Sequence, residues 1–148
     1  MTYKKFISNK GWLAFDYPST WTQTEEDEGT FLFMDKENWK GNFRITPLKI
    51  SGNSKDSVDL KLQNYIIDEI NKNKGAKLIT IGQYKPAHYS KITIQDKKSL
   101  TMLYWIFENN QVLITATFTI DSNRLNEIDV NHEIDYCKKV LETLKIKK

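Results

Sequence analysis

Few residues of this sequence have the types and spacing that chemistry needs. His88 and His132 are the only histidines and Cys137 the only cysteine. The two histidines lie in no metal-binding spacing such as His-x-x-x-His, so a zinc site is not expected. Cys137 falls on the apolar stripe of a predicted helix, where a free cysteine behaves as a small hydrophobe. A thiolate nucleophile needs exposure and a cationic neighbour, and that position supplies neither. No Gly-x-Ser-x-Gly elbow, Walker A loop or Gly-x-Gly-x-x-Gly is present, so the common acyl-transfer and phosphate-binding devices are missing. Carboxylates are plentiful, but spacing singles out no acid–base pair. The run Glu25, Glu26, Asp27, Glu28 ends at Gly29 and lacks the ligand offsets of a calcium loop. A solvated acidic loop is the expectation there. The expectation is a non-enzymatic protein without cofactor or metal.

Polar and aromatic residues are the remaining candidates. Trp39 sits in a polar connection, Asp35 to Asn42, where an indole is either folded back on the sheet or presented to a partner. Met102 and Tyr104 lie on an apolar strand and could join Trp39 in a protein-binding patch, since Tyr and Trp are frequent interface anchors. Burial under a helix is the competing expectation for both. A second set, Arg44, Tyr84, His88 and Tyr89, could line a pocket between sheet and helix for a small molecule or a reaction.

The elements that must position these residues start from Leu100 to Ile120, LTMLYWIFENNQVLITATFTI, the longest apolar segment. It reads as a β-hairpin. Asn109-Asn110 serves as a two-residue turn because Asn tolerates positive φ. That register pairs Phe107 with Val112, Trp105 with Ile114, Leu103 with Ala116 and Thr101 with Phe118. Both faces of the hairpin carry apolar residues, so each side needs a covering layer.

Around the hairpin, strands are predicted over Trp12–Tyr17, Thr30–Met34, Phe43–Ile50, Lys77–Tyr84 and Ala87–Ile94. Pro18 stops the first, and Pro47 implies an edge or bulge. Trp21 is expected to anchor the core. After the loop Ser51–Ser54, a helix runs to about Lys74 with the stripe Val58, Leu62, Tyr65, Ile66 and Ile70, and Gly75 is placed to cap it. A last helix follows Asp121–Asn126 with the stripe Val130, Ile134, Cys137, Leu141 and Leu144.

The chain of 148 residues fits one domain, residues 1–148, with no linker, repeat or low-complexity segment. Its formal net charge of +3 is matched by Lys145, Lys147 and Lys148 alone, too thin an excess to point to nucleic acid. No signal-peptide h-region or membrane-spanning run is seen, so a cytoplasmic location is expected. A protein partner and a monomer or weak dimer complete the expectation.

Several features together resemble the PsbP-like superfold. They are FDYPSTW (Phe15–Trp21), the helix after the first half of the sheet, and VLITATFTI followed by a polar loop with Asn126 and by Ile134, Val140, Leu141 and Leu144. The resemblance spans nearly the whole chain. It implies an α+β fold: an antiparallel sheet of about six or seven strands flanked by helices on both faces, an α/β/α sandwich. Members of the superfold include the extrinsic PsbP subunit of photosystem II, a Ran-GTPase-binding nuclear transport factor and bacterial families of unknown function. Most bind other proteins, and the resemblance brings no catalytic residues. Richness in Lys, Asn and Ile suggests an AT-rich bacterial genome, so an uncharacterised bacterial family of this fold is the nearest expectation. The work implied is that of an adaptor, chaperone or immunity-type accessory module.

Overall fold

The computed structural model describes residues 1–27, 29–52 and 54–147. Glu28, Asn53 and Lys148, which belong to the expected acidic loop, helix-leading loop and basic tail, lie outside the described residues. The hairpin forms as strands β8 (Lys98–Asn109) and β9 (Val112–Asp121), numbered in chain order with the elements named below. Its turn lies one residue later than expected. Asn110 and Gln111 both take positive φ, 48° and 66°, as a primed two-residue turn requires. The observed pairs are therefore Asn109 with Val112, Phe107 with Ile114, Trp105 with Ala116, Leu103 with Phe118 and Thr101 with Ile120. Moving the turn by one residue moves each partner by two, so the faces keep their membership although every expected pair changes. Tertiary contacts select this turn: the Asn110 side-chain amide donates to the Ile146 carbonyl at 2.8 Å, and the Ile50 N–H donates to the Gln111 carbonyl at 3.0 Å.

Among the described residues the strands make two antiparallel sheets. The larger has seven strands in the order β3 (Thr22–Glu26), β4 (Thr30–Met34), β5 (Asn42–Lys49), β9, β8, β7 (Ala87–Gln95), β6 (Lys77–Leu78). The smaller pairs β2 (Leu13–Pro18) with β1 (Tyr3–Ile7) on one side and β10 (Lys145–Ile146) on the other. Helix α1 (Lys55–Lys72) covers one face of the large sheet, and α2 (Ile128–Thr143) together with the small sheet covers the opposite face. Helices on both faces of an antiparallel sheet are what the two-faced hairpin demands.

The α2 face holds the aromatic core. Val130, Cys137, Val140 and Leu141 of α2 pack with Trp105, Phe107, Ile114 and Phe118, and with Phe15 of the small sheet. Cys137 is fully buried, and burial pushes its thiol well up. Trp21 is 2% exposed between Phe33 and Phe43, and its indole N–H donates to Glu133 Oε2 at 3.2 Å. Burial raises the Glu133 carboxyl, against the pull of Lys40 and that N–H.

Strands β1 and β10 have no counterpart in the sequence expectation, and three further stretches differ from it. Glu25 and Glu26 lie in edge strand β3 instead of a loop; the edge leaves charged side chains in solvent, and Glu26 pairs with Arg44 at 2.6 Å. The strand expected over Lys77–Tyr84 is cut to two residues. Gly82, at φ 56°, turns the chain so that Ile81 and Tyr84 bond each other, and a Cβ at Gly82 would come within 2.8 Å of Glu142. On α1, Val58 and Leu62 are buried and Ile66 and Ile70 half-buried, but Tyr65 is exposed and Glu69 takes the inward position. Ser54 caps the helix start, and Asn73, rather than Gly75, bonds back to its last turn through the Glu69 carbonyl. Pro47 lies where β5 has outrun β4 and pairs only with β9, as an edge proline should.

Replacing Trp21 with Ala should cost about 3–5 kcal/mol, the range for deleting a buried large aromatic. Urea unfolding followed by circular dichroism measures it. A loss within about 0.5 kcal/mol, the scale of a surface substitution, would contradict the anchoring role.

Candidate protein-docking surface

Helix α1 touches the sheet mainly through Val58 and Leu62, which pack on Tyr89, Ile106 and Leu113. Beyond these contacts the same sheet face carries a polar-aromatic cluster. Tyr89 of β7 stands opposite Tyr104 of β8, and the rings stack at 4.7 Å with 13° between planes. Direct cross-strand neighbours on one face make this stack a consequence of register. The Lys91 ammonium lies 5.8 and 5.7 Å from the two ring centroids, a cation–π arrangement. The Tyr104 hydroxyl donates to Met102 Sδ at 3.7 Å.

Glu69 ties this cluster to α1. It is 7% exposed, and its carboxylate accepts from the Tyr89 hydroxyl at 3.1 Å and the Asn73 amide at 3.2 Å while pairing with Lys72 at 3.0 Å. Burial alone would raise its pKa, but Lys72, Tyr89 and Asn73 together hold it below the usual carboxylate range. The tyrosines shift the other way. Burial and the Glu69 charge push the Tyr65, Tyr89 and Tyr104 hydroxyls up, so all three stay protonated near neutral pH. The cluster is therefore a set of fixed donors and π faces around an ionised carboxylate. It suits recognition better than proton transfer, which needs a group poised near the working pH.

The outer edge of β7 is the second feature. Strand β6 pairs only with Ala87 and His88, leaving Tyr89–Gln95 without a neighbour on that side among the described residues. Natural edges are usually blunted by charges, proline, bulges or a covering segment. This one carries a single charge, Lys91, and two isoleucines, Ile92 at 69% and Ile94 at 72% exposure. Both isoleucines lie on the α2 face, opposite to Lys91 and Thr93, and beyond the reach of the main core. A tight turn at Asp96 and Lys97, both at positive φ, joins this edge to β8.

The seven residues singled out from sequence divide among separate places. Tyr89, Tyr104 and Met102 come together in the cluster. Arg44 lies in the same cross-strand row, with Thr117 between it and Tyr104, and is held by Glu26. His88 and Tyr84 belong to the α2 side. The His88 ring stacks on Trp105 at 5.1 Å and bonds the Tyr104 carbonyl through Nδ1, and burial lowers its pKa. The Tyr84 hydroxyl donates to the Leu144 carbonyl. Trp39 is half-buried and folded back on the main core, its N–H bonded to Asn42 and Arg124 over its ring at 5.6 Å. A cleft of about 400 Å³ does open between α1 and the β6–β7 connection, lined by Ile66, Ile70, Leu78 and Glu108. Of the four residues proposed for a pocket, Tyr84 alone lines it.

Sequence reasoning missed Glu69, Lys91, Ile92 and Ile94. Glu69 carried a usable signal, a carboxylate seven residues beyond Leu62 on the helical stripe where an apolar residue belongs. The isoleucines lie in the strand expected over Ala87–Ile94, and the shortness of β6 that exposes them cannot be read locally.

Glu69→Gln should lower stability by about 1.5–3 kcal/mol at pH 7, the scale of hydrogen bonds to a charged group. The sign with pH follows from the lowered carboxyl: the stabilisation is complete above the unfolded-state pKa and is lost as pH falls through the folded-state value. Thermal unfolding should thus separate Glu69→Gln from the parent at pH 7, and the gap should close as acid protonates the Glu69 carboxyl. A gap that is constant with pH would contradict the ionised network.

A crystal structure from Bacteroides thetaiotaomicron VPI-5482 is similar to the whole of this chain at 27% identity, with a TM-score of 0.78, and this chain spans half of that one. The Saccharomyces cerevisiae Ran-binding protein Mog1p aligns over 99% of this chain and 96% of its own at 8% identity and a TM-score of 0.57. That alignment bears out the fold expected from the PsbP-like resemblance. The cyanobacterial PsbP of Synechocystis sp. PCC 6803 aligns more loosely, with a TM-score of 0.47 and 14% identity over 98% of this chain and 92% of that one. No curated protein matches the sequence. One family model, described as a domain of unknown function (DUF3805), matches residues 1–148, and the chain belongs to that family.

Proposed function

We propose that this protein is a non-enzymatic protein-binding module, an adaptor, chaperone or immunity-type accessory, that receives an extended segment of its partner as an added strand on the outer edge of β7. The observation that carries the reading is the edge from Tyr89 to Gln95, unpaired among the described residues, with Ile92 and Ile94 exposed on it. Strand addition draws affinity from main-chain hydrogen bonds and specificity from alternate side chains. Seven residues offer an edge of about 23 Å at the usual strand rise. An added strand would cover the two isoleucines on one side and lie beside Lys91 and the Tyr89–Tyr104 stack on the other.

The isoleucines alone would not hold the complex. Burying both isoleucines is worth about 3–6 kcal/mol. Association costs about 4–15 kcal/mol in lost freedom and ordering. Hydrogen bonds along the strand and contact with the tyrosine stack must supply the surplus, which fits a reversible accessory role. Mog1p, a structural neighbour, is a Ran-binding protein; it supports the idea that this fold can present a binding surface.

A second reading, a small-molecule binder or enzyme, draws on the cleft beside α1. Its volume falls within the range of ligand pockets, and burial raises the Glu108 carboxyl at its wall, where Asp59 adds to the effect and Lys55 opposes it. A thermal-shift screen of metabolites addresses it.

The docking edge is tested in one comparison. Tagged protein and an Ile92→Lys/Ile94→Lys variant are used to capture partners from native lysate, and the captured protein is then titrated. The variant should fold as the parent does, because both positions are exposed, and should bind at least tenfold more weakly. Equal binding by the two proteins would move the interface off this edge.

A further inference from the structure

At the opposite end of the long hairpin from the β7–β8 turn, four chain segments line an open cavity of about 260 Å³ with Lys49, Ile50, Lys55, Asn110, Gln111, Val112 and Lys147. Three lysines and two amide residues are among its lining, and none of the described lining residues is acidic. Among the described residues none of the three lysines forms an ion pair. From this geometry we infer that the cavity is a binding site for a small phosphate monoester, independent of the docking edge on β7.

The backbone around the exposed lysines is held by hydrogen bonds between the segments. Ile50 donates to the Gln111 carbonyl at 3.0 Å and fixes the end of β5 against the hairpin turn. Lys147 donates its backbone N–H to the Trp12 carbonyl at 2.8 Å, and Asn110 holds the Ile146 carbonyl at 2.8 Å, so the C-terminal strand is tied to the same turn. The Lys49 ammonium stands 4.5 Å from the Trp12 ring centroid, which limits where it can go. Lys55 is the first residue of the 18-residue helix α1, so the positive end of the helix dipole adds to the lysines. Acids stand close to Lys55: Asp56 follows it in the first turn, Asp59 lies one turn on, and Glu108 in the neighbouring cleft feels both Asp59 and Lys55.

Charge and size choose the ligand. A monoester carries about −1.5 to −2 at neutral pH and several acceptor oxygens. Three cations and two amides can meet that charge, whereas a monocarboxylate would leave most of the positive charge unanswered. The volume lies below that of drug-sized pockets, about 300–1,000 Å³, so the group attached to the phosphate must be small or project into solvent. Lysine serves such groups as a point charge without demanding bidentate geometry.

The test is an NMR titration of the full chain with glycerol 3-phosphate, with glycerol as the uncharged control. A parallel arm uses phosphatidylcholine vesicles with and without phosphatidic acid. The expected result is a saturable set of shifts at Ile50, Lys55, Asn110 and Gln111, absent with glycerol. Affinity should fall at least tenfold in Lys49→Gln/Lys55→Gln/Lys147→Gln and stay unchanged in Lys36→Gln/Lys61→Gln, which alters lysines outside the cavity. The single variant Lys147→Gln, expected to weaken binding severalfold, replaces the triple one if that fails to fold. Non-saturable shifts spread over surface lysines, equal affinity in the cavity variants, or association with phosphatidic acid vesicles alone would overturn the proposal.

Discussion

The structure depends on burying both faces of one hairpin. Strands β8 and β9 carry Trp105, Phe107, Ile114, Ala116 and Phe118 on one side and Tyr104, Ile106 and Leu113 on the other. Neither set can be left in water at about 25 cal/mol per Å² of apolar surface. Every other element answers this requirement. The small sheet and α2 close the aromatic side, α1 closes part of the opposite side, and the flanking strands satisfy the hairpin's outer backbone groups. The two coverings are unequal. The α2 side forms one continuous buried cluster that includes Phe6 and Leu144, whereas α1 contributes two fully buried aliphatics and then relies on Glu69.

That inequality creates the candidate surface. Where α1 meets the sheet through Glu69, Tyr89 and Asn73, the interface is polar and ordered by charge-assisted hydrogen bonds. Alongside it, the chain after Leu78 leaves the sheet, because Gly82 turns it and Tyr84 is drawn to the carbonyl of Leu144 on the α2 side. The strand that could have protected β7 is thereby used to close the core. An unprotected edge is a liability unless something uses it, and here it sits beside a stacked tyrosine pair carrying a lysine. None of the helices among the described residues is long and apolar enough to cross a membrane.

Much of the fold was legible because it follows from local periodicity. The alternation in Leu100–Ile120 correctly assigned every hairpin residue to its face, and β4 matches its expected limits of Thr30 and Met34. The stripe Val130, Cys137, Leu141 and Leu144 located α2, and Trp21 is the core anchor its size implied. What was not legible depends on distant residues. The turn moved to Asn110-Gln111 because Ile146 and Ile50 hold it there. Strands β1 and β3 have weak patterns of their own and exist through pairing with β2 and β4. Of the candidate site, sequence reasoning found Met102, Tyr104 and Tyr89 but assigned them to competing sets. Only the cross-strand register unites them, and only the length of β6 exposes the edge beside them.

Amide hydrogen exchange on the isolated protein tests the central claim, that β7 offers an open edge. The account predicts a split along Tyr89–Gln95: amides bonded to β8 exchange slowly, as those of β9 do, while the alternate, outward-facing amides exchange at nearly unprotected rates. Uniform slow exchange along all of β7, at protein concentrations where the chain is monomeric, would mean that another part of the molecule already covers the edge, and would contradict the account.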